Sequence, residues 1–342
     1  MILLTGSTGM TGARLLFDLV SAGHEVRALR RKVPAIDLFG FYSRNSPSLR
    51  KQVEWVTADL LDRFSMEDVC RGVKSVFHCA AMVSFDPADR ELMEKTNVGG
   101  TADLVNICLD QGSVNFFAYV SSVAALGRMD GADMLTEDSH WDPALKPSYY
   151  ATTKYGAERE IWRGMAEGLN AVIVNPSIIL GPGDWTKGSP ALFTKVIDGF
   201  PFFTRGISGF VDVRDVSDAL LHLWKREITG QRFILNGENL SFENLFSKIA
   251  STNGSKAPYL PVAPWMTGFV WPLDLLRSFL TGTPRFITRE TARSSRKKFL
   301  YSAEKIRQTG FDFRTIDDCI HFTLECRGEM LKAKKNSLMS RK

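Results

Sequence analysis

Three glycines spaced three residues apart, Gly6, Gly9 and Gly12, separate an apolar run (Met1 to Leu4) from a helical pattern (Ala13 to Val20). No other stretch constrains the fold as much, because strand, Gly-rich turn and helix in that order form the local context for binding a dinucleotide. Gly6 permits the tight turn, Gly9 lets the backbone approach a pyrophosphate, and Gly12 allows close helix–strand packing. The helix N-terminus adds N–H groups and a partial positive charge. Ser7, Thr8 and Met10 belong to the same seat. The spacing is G-x-x-G-x-x-G rather than G-x-G-x-x-G.

Beyond the turn, strand and helix patterns alternate, which calls for an α/β fold with a doubly wound parallel sheet of the Rossmann type. Strands are expected at 24–29, 53–57, 75–81, 115–120, 170–174 and 232–235, with helices at 65–72, 87–111 and from 149 to 168. The second strand runs into Arg30-Arg31-Lys32. NAD-binding chains carry an Asp or Glu about 20 residues past the glycines to hold the ribose 2′-OH. Arg30 stands there instead. A carboxylate repels a 2′-phosphate, whereas a guanidinium binds it through paired charge-assisted hydrogen bonds. NADP(H) is therefore expected over NAD(H).

Two polar residues in apolar or helical surroundings need separate readings. His78 on an apolar strand is expected to be a satisfied core histidine. Asn97 is unfavourable inside a helix, which hints at another task. Tyr150 and Lys154 are four apart and so share one helical face. Ser121 and Ser122 end the fifth strand, and residues at the carboxyl ends of parallel strands face the ligand crevice.

The formal charge is +5 over 342 residues, and the stretch from Arg327 to Lys342 carries that excess. The body is near neutral, so no nucleic-acid partner is expected. Five cysteines without a C-x-x-C pair point to reduced thiols and a cytoplasmic protein. The first strand starts at Met1, which leaves no room for a leader. Residues 259–276 are apolar with a single charge, Asp274, but Pro261, Pro264 and Pro272 interrupt them. They read as a helix or lid of a substrate region rather than a span, with contact at a membrane surface the lesser expectation.

Taken together, T-G-x-T-G-x-x-G, the strand-end serines and the Tyr150/Lys154 pair resemble the extended short-chain dehydrogenase/reductases, that is, the NAD-dependent epimerase/dehydratase family. The pattern is similar above all to the dihydroflavonol-4-reductase-like and 3-beta-hydroxysteroid-dehydrogenase-like members. The resemblance implies a Ser–Tyr–Lys site of Ser122 (Ser121 the alternative), Tyr150 and Lys154. It implies that Asn97, in Asn97-Val98-Gly99-Gly100-Thr101, holds its helix and a nearby water in place. It sets Asp59 and Leu60 at the adenine and the small residues Ala80 and Ala81 along the cofactor. Pro176 and Ser177 would lie by the nicotinamide, with Asn175 replacing the family's usual Arg. Asp215 is the expected cap of the helix after Val213.

A phenol titrates near 10, and the Lys154 ammonium is expected to lower that value. Tyr150 would then exchange a proton with a carbonyl or alcohol oxygen while Ser122 positions it. Lys154 would also bind the nicotinamide ribose. The expected function is hydride transfer to or from a small, largely apolar carbonyl or secondary alcohol, by a homodimer joined through the helices at 88–111 and 148–168. The competing expectations are a nucleotide-sugar epimerase or dehydratase with bound NAD, and a non-catalytic NADP(H)-binding regulator or assembly factor. Epimerases usually carry an Arg where Ser208 stands. Residues 1–177 and 209–235 are assigned to the nucleotide-binding domain and 178–208 with 236–312 to the substrate region. Residues 313–342 form a C-terminal helix and basic tail.

Overall fold

The computed structural model describes residues 1–127, 134–262 and 298–339. Helices expected at 264–280 and 286–295, and most of the apolar 259–276 segment, lie outside the described residues. The chain begins β1 (Ile2–Thr5), α1 (Met10–Ser21), β2 (Val26–Arg30), α2 (Leu38–Tyr42), β3 (Val53–Thr57), α3 (Arg63–Cys70) and β4 (Ser75–His78). It continues through α4 (Arg90–Glu94), α5 (Gly100–Gln111), β5 (Phe116–Val120), α6 (Tyr149–Ala166), β6 (Ala171–Pro176) and β7 (Ile178–Leu180). Next come α7 (Pro190–Ile197), β8 (Phe202–Phe203), β9 (Ile207–Asp212), α8 (Val213–Lys225), β10 (Gln231–Leu235) and β11 (Glu238–Ser241). The last elements are α9 (Phe242–Asn253), β12 (Leu260–Pro261), α10 (Glu304–Arg307) and α11 (Ile316–Met339).

Seven parallel strands form the main sheet in the order β3-β2-β1-β4-β5-β6-β10. The order reverses between β1 and β4, and at such a switch point the carboxyl ends open into a ligand crevice. Both faces are covered, as a parallel sheet requires. Successive strand residues point to opposite sides. Phe116, Ala118 and Val120 of β5 join a core with Leu15, Leu16 and Leu19 of α1 and Leu220 of α8. Phe117 and Tyr119 join the other, with Leu104 and Ile107 of α5 and Ala157 and Ile161 of α6. Each fully buried leucine contributes about 2 kcal/mol.

A smaller sheet, β11-β9-β7, stands beside the large one. It shares a third core with α7, α9 and α11 through Phe193, Leu245, Ile249, Ile316 and Ile320. Residues 209–235 are thereby divided. Residues 209–212 end a small-sheet strand, whereas α8 packs on the large sheet and β10 extends it.

The cap of α8 is Asp212, not Asp215: the Asp212 side chain accepts the Arg214 amide at 2.7 Å. Asp215 is already inside the first turn. Its buried carboxylate instead accepts the backbone amide and guanidinium of Arg314 (3.0 and 2.5 Å), tying α8 to the start of α11. The expected helix at 87–111 is one helical run interrupted by a wide π turn, Lys95–Gly99, centred on Asn97. Such turns concentrate at functional positions. Among the described residues, no helix is long and apolar enough to cross a membrane.

His78 is a satisfied core histidine, as its place on an apolar strand implies. Its Nδ1 lies 2.7 Å from the Thr5 hydroxyl and its Nε2 3.0 Å from that of Thr101. Burial, helped by the nearby Lys154 charge, pushes its imidazole down to about 3. The unfolded chain therefore takes up this proton near pH 6.5 while the folded chain does not, so stability falls as pH drops below that value. The slope attributable to His78 is about 1.4 kcal/mol per pH unit. Urea unfolding of parent and His78→Gln between pH 7 and 5 measures it; identical slopes would refute the assignment. At Gly12 a Cβ would overlap the Gly6 carbonyl oxygen, whereas at Gly99 it meets nothing within 4 Å. Gly12→Ala should cost about 2 kcal/mol in thermal unfolding, with Gly99→Ala near neutral.

Candidate active site at the carboxyl edge of the sheet

Close backbone packing shapes the nucleotide end. Gly6 has φ +67°, and a Cβ there would lie 2.6 Å from the Ala80 amide nitrogen, so the turn after β1 nests against the segment after β4. The Ser7 hydroxyl donates to the Leu29 carbonyl at 2.7 Å and thus fastens the turn to β2. Gly9 begins α1, and no side chain caps that end. A Cβ at Gly181 would come within 3.4 Å of the Met10 sulfur, which locates Met10 beside the Gly181–Gly183 loop.

Arg30 is the last residue of β2, and its guanidinium lies over the Trp55 ring at 4.9 Å from the centroid. A cavity of about 180 Å³ is lined by Ser7, Thr8, Arg30, Arg50 and Trp55. Arg50 does not stand out in the sequence, where it is one basic residue in a loop without pattern; its Nη2 donates to the Gly40 carbonyl at 3.3 Å. The Asp59 carboxylate accepts the Leu61 amide at 3.1 Å, and Leu60 is buried under α5 against Gly100. Ala80 donates its amide to the Thr5 hydroxyl, while Ala81 is exposed. Pro176 and Ser177 follow at the end of β6. Arg30 Nε, Ser121 Oγ and Ser177 Oγ are buried polar atoms without a partner. Buried polar groups are normally paired, and these three, with the glycine cradle, fit a polar dinucleotide.

At the other end of the crevice, Ser148 caps α6 by accepting the Ala151 amide at 2.9 Å, which starts the helix just before Tyr150. Tyr150 is half-buried. Burial pushes its phenol above the ordinary value, and a hydrogen bond with Ser122 pulls against that. The Ser122 hydroxyl also accepts the Ala124 amide at 3.1 Å. Lys154 is 1% exposed, and its Nζ donates to the Tyr119 hydroxyl at 2.8 Å and to the Val120 carbonyl at 2.9 Å. Burial pushes its ammonium down to about 7, opposed by the Glu158 carboxylate and Cys79. The expected lowering of the phenol by Lys154 is not what this arrangement displays, because the ammonium is engaged with β5 and the opposing pull on Tyr150 comes from Ser122.

Asn97 forms a clamp. Its Oδ1 accepts the Met82 amide at 2.7 Å, and its Nδ2 donates to the Met82 carbonyl and the Thr153 hydroxyl at 2.9 and 3.1 Å. It thus joins the segment after β4 to the α6 turn that carries Tyr150 and Lys154. Phe85, in the same segment, presents its ring to Tyr150 at 6.1 Å in an edge contact. Asn175 donates to the Ser122 carbonyl at 2.9 Å and to Glu158, whose other oxygen accepts from Arg232 at 3.1 Å. Neither Tyr119 nor Arg232 stands out in the sequence; both are ordinary strand residues there, one aromatic and one cationic.

The chain matches the model of the NAD dependent epimerase/dehydratase family over residues 2–235. It is 31% identical over 311 residues to a Synechocystis sp. protein provisionally named dihydroflavonol 4-reductase, covering 88% of this chain and 87% of that one. It is 32% identical over 296 residues to sterol demethylase protein B of Methylococcus capsulatus, covering 83% and 85%. The crystal structure of gox2253 superposes with a TM-score of 0.78 at 30% identity, covering 96% of this chain and 98% of that one. With the parallel sheet and the glycine turn, these matches establish the chain as an NAD(P)-dependent enzyme of the extended short-chain dehydrogenase/reductase type, a member of the NAD-dependent epimerase/dehydratase family.

Proposed function

We propose that this enzyme is an NADP-dependent oxidoreductase that interconverts a carbonyl and a secondary alcohol on a small, largely apolar substrate. Ser122, Tyr150 and Lys154 are its catalytic residues, and Asn97 fixes the helix that bears the latter two. The observation that carries the reading is the placement of Tyr150 in the first turn of α6, with the buried Lys154 one helical turn beyond it fastened to the carboxyl end of β5, where Ser122 follows.

The glycine turn and the start of α1 would hold the pyrophosphate. Asp59 and Leu60 would flank the adenine, Ala80 and Ala81 would line the path, and Pro176, Ser177 and Lys154 would serve the nicotinamide ribose end. Arg30, with its unpartnered Nε, and Arg50 favour a 2′-phosphate in the cavity they line. When bound, this cofactor supplies or accepts the hydride. In the reducing direction Tyr150 donates its O–H proton to the substrate oxygen, and burial keeps the phenol protonated at neutral pH for that purpose. The Ser122 hydroxyl holds the same oxygen in place. Lys154, its ammonium fastened to β5, acts through the nicotinamide ribose. Phe85, set against Tyr150, gives the site an apolar wall. The dihydroflavonol and sterol in the names of two relatives agree with a ring-bearing, apolar substrate.

The nucleotide-sugar reading is weaker. Ser208 lies within β9 in register with Leu240, and Arg205 is exposed outside that strand, so neither position sets a guanidinium where the family's arginine would grip a diphosphate. A cytoplasmic homodimer joined through α5 and α6 completes the proposal.

Tyr150→Phe should lower turnover by about 10²–10⁴-fold while NADPH affinity changes little. The assay follows NADPH absorbance across a panel of ketones and aldehydes, with binding measured in parallel. Undiminished turnover would sink the mechanism; NADPH binding without turnover of any carbonyl by the parent would favour the regulator. Arg30→Asp should weaken NADPH by about 10- to 100-fold and leave NADH nearly unchanged. Equal losses for the two cofactors would remove the NADP assignment.

A further inference from the structure

Thr5, His78 and Tyr119 form one row across the sheet. Thr5 is in register with His78, and His78 with Tyr119. All three are essentially fully buried, and the His78 and Tyr119 rings stack at 5.4 Å. Such a polar row on an otherwise apolar sheet face, roofed by α5 and α6, must satisfy its own donors and acceptors.

The hydrogen bonds of Thr5, His78 and Thr101 fit one proton arrangement. The Thr101 hydroxyl donates to the Asn97 carbonyl at 2.6 Å, leaving its oxygen to accept. It accepts from His78 Nε2 at 3.0 Å. His78 Nδ1 is then bare and accepts from the Thr5 hydroxyl. The Thr5 oxygen accepts the Ala80 amide at 3.2 Å. His78 is thereby the neutral Nε2–H tautomer. An ammonium can only donate, so the Tyr119 oxygen turns a lone pair toward Lys154 Nζ.

We propose that Tyr119 is a positioning residue for Lys154: its ring, stacked on the His78 imidazole that Thr5 and Thr101 hold, sets its hydroxyl where it accepts from Nζ, and that acceptor holds the ammonium charged and in place. The other titratable groups around Lys154 are Glu158 and Tyr150 on α6, His78 on β4 and Cys79 just after it. Of these, only Glu158 supplies a full opposing charge. Burial alone drives the ammonium toward its neutral form. The Tyr119 acceptor opposes burial, so its removal lowers the lysine's titration point further.

The proposal extends the catalytic reading of Lys154, so its test is read without turnover. Lysine ¹³Cε resonances are titrated by NMR in the full chain without cofactor, with Lys154→Met assigning the signal. Tyr119→Phe should move the Lys154 titration down by about one pH unit, and thermal unfolding verifies that the variant folds. His78→Gln, which keeps the phenol but takes away the ring it stacks on, should move it the same way by less. An unchanged Lys154 titration in either folded variant overturns the proposal. If Lys154 is catalytic, the basic limb of kcat/KM for carbonyl reduction moves down in parallel. A moved titration with an unmoved limb would leave Tyr119 as the positioning residue and refute the catalytic reading instead.

Discussion

A single ammonium is held in the interior at the carboxyl edge of the sheet, and the elements around it are arranged to make that tolerable. An unpaired buried charge costs several kcal/mol. Lys154 meets two oxygen acceptors on β5, the Tyr119 hydroxyl and the Val120 carbonyl. Its charge is balanced one turn along α6 by Glu158, also buried. Glu158 is in turn paired with Arg232 on β10 at 3.1 Å. Arg232 donates to the Glu137 carbonyl, and the Glu137 side chain accepts the Ile234 amide at 2.8 Å. Glu158 therefore stands between two cations, Lys154 and Arg232, and the Glu137 carboxylate is met by a backbone amide. The pairing ties β5, α6 and β10 together around the proposed proton donor.

This network also accounts for Asn175, which stands where the family pattern has arginine. Asn175 is on β6, in register with Ile234 of β10, and Arg232 lies two residues earlier on that strand. The guanidinium reaches Glu158 from the neighbouring strand, while the shorter Asn175 amide bridges Glu158 and the Ser122 carbonyl. An arginine side chain at both positions would crowd two cations around one carboxylate. The departure is thus a redistribution of the same chemistry across two adjacent strands.

What is legible in the sequence is local, and what is hidden there is long-range. The glycine turn, the alternation of strands and helices and the Tyr150/Lys154 pair each follow from spacing along a few residues, so the residue pattern alone reveals them. Tyr119 sits in Phe116-Phe117-Ala118-Tyr119-Val120, where it passes for another buried aromatic; its partner is 35 residues away. Arg232 and Glu158 are separated by 74. The ambiguity between Asp215 and Asp212 has a different origin. Both acids stand at the start of α8, and only the backbone at residue 212, extended at φ −70° and ψ 138°, decides which one caps it. The core position of His78 is plain from its apolar neighbours, yet its role in orienting Tyr119 is not, because cross-strand register is invisible in one dimension.

The two ends of the crevice share a common frame. Thr5 is the last residue of β1 before the glycine turn, and the row from Thr5 through His78 to Tyr119 ends on Lys154. Catalysis between a bound dinucleotide and a side-chain acid demands relative placement to a fraction of an ångström. Loops alone hold such distances poorly. Here the turn beside Gly6 and the support of Lys154 are carried by neighbouring parallel strands of one sheet, joined by hydrogen bonds at every step. The substrate side is suspended from the same frame: Asn97, at the π turn, pegs Met82 and Thr153 together, and so sets the segment bearing Phe85 against Tyr150. A continuous α-helix through residues 95–99 would rotate every following α5 residue, Thr101 included, relative to Asn97. The π turn is therefore the geometric condition for letting Asn97 reach Met82 while Thr101 reaches His78.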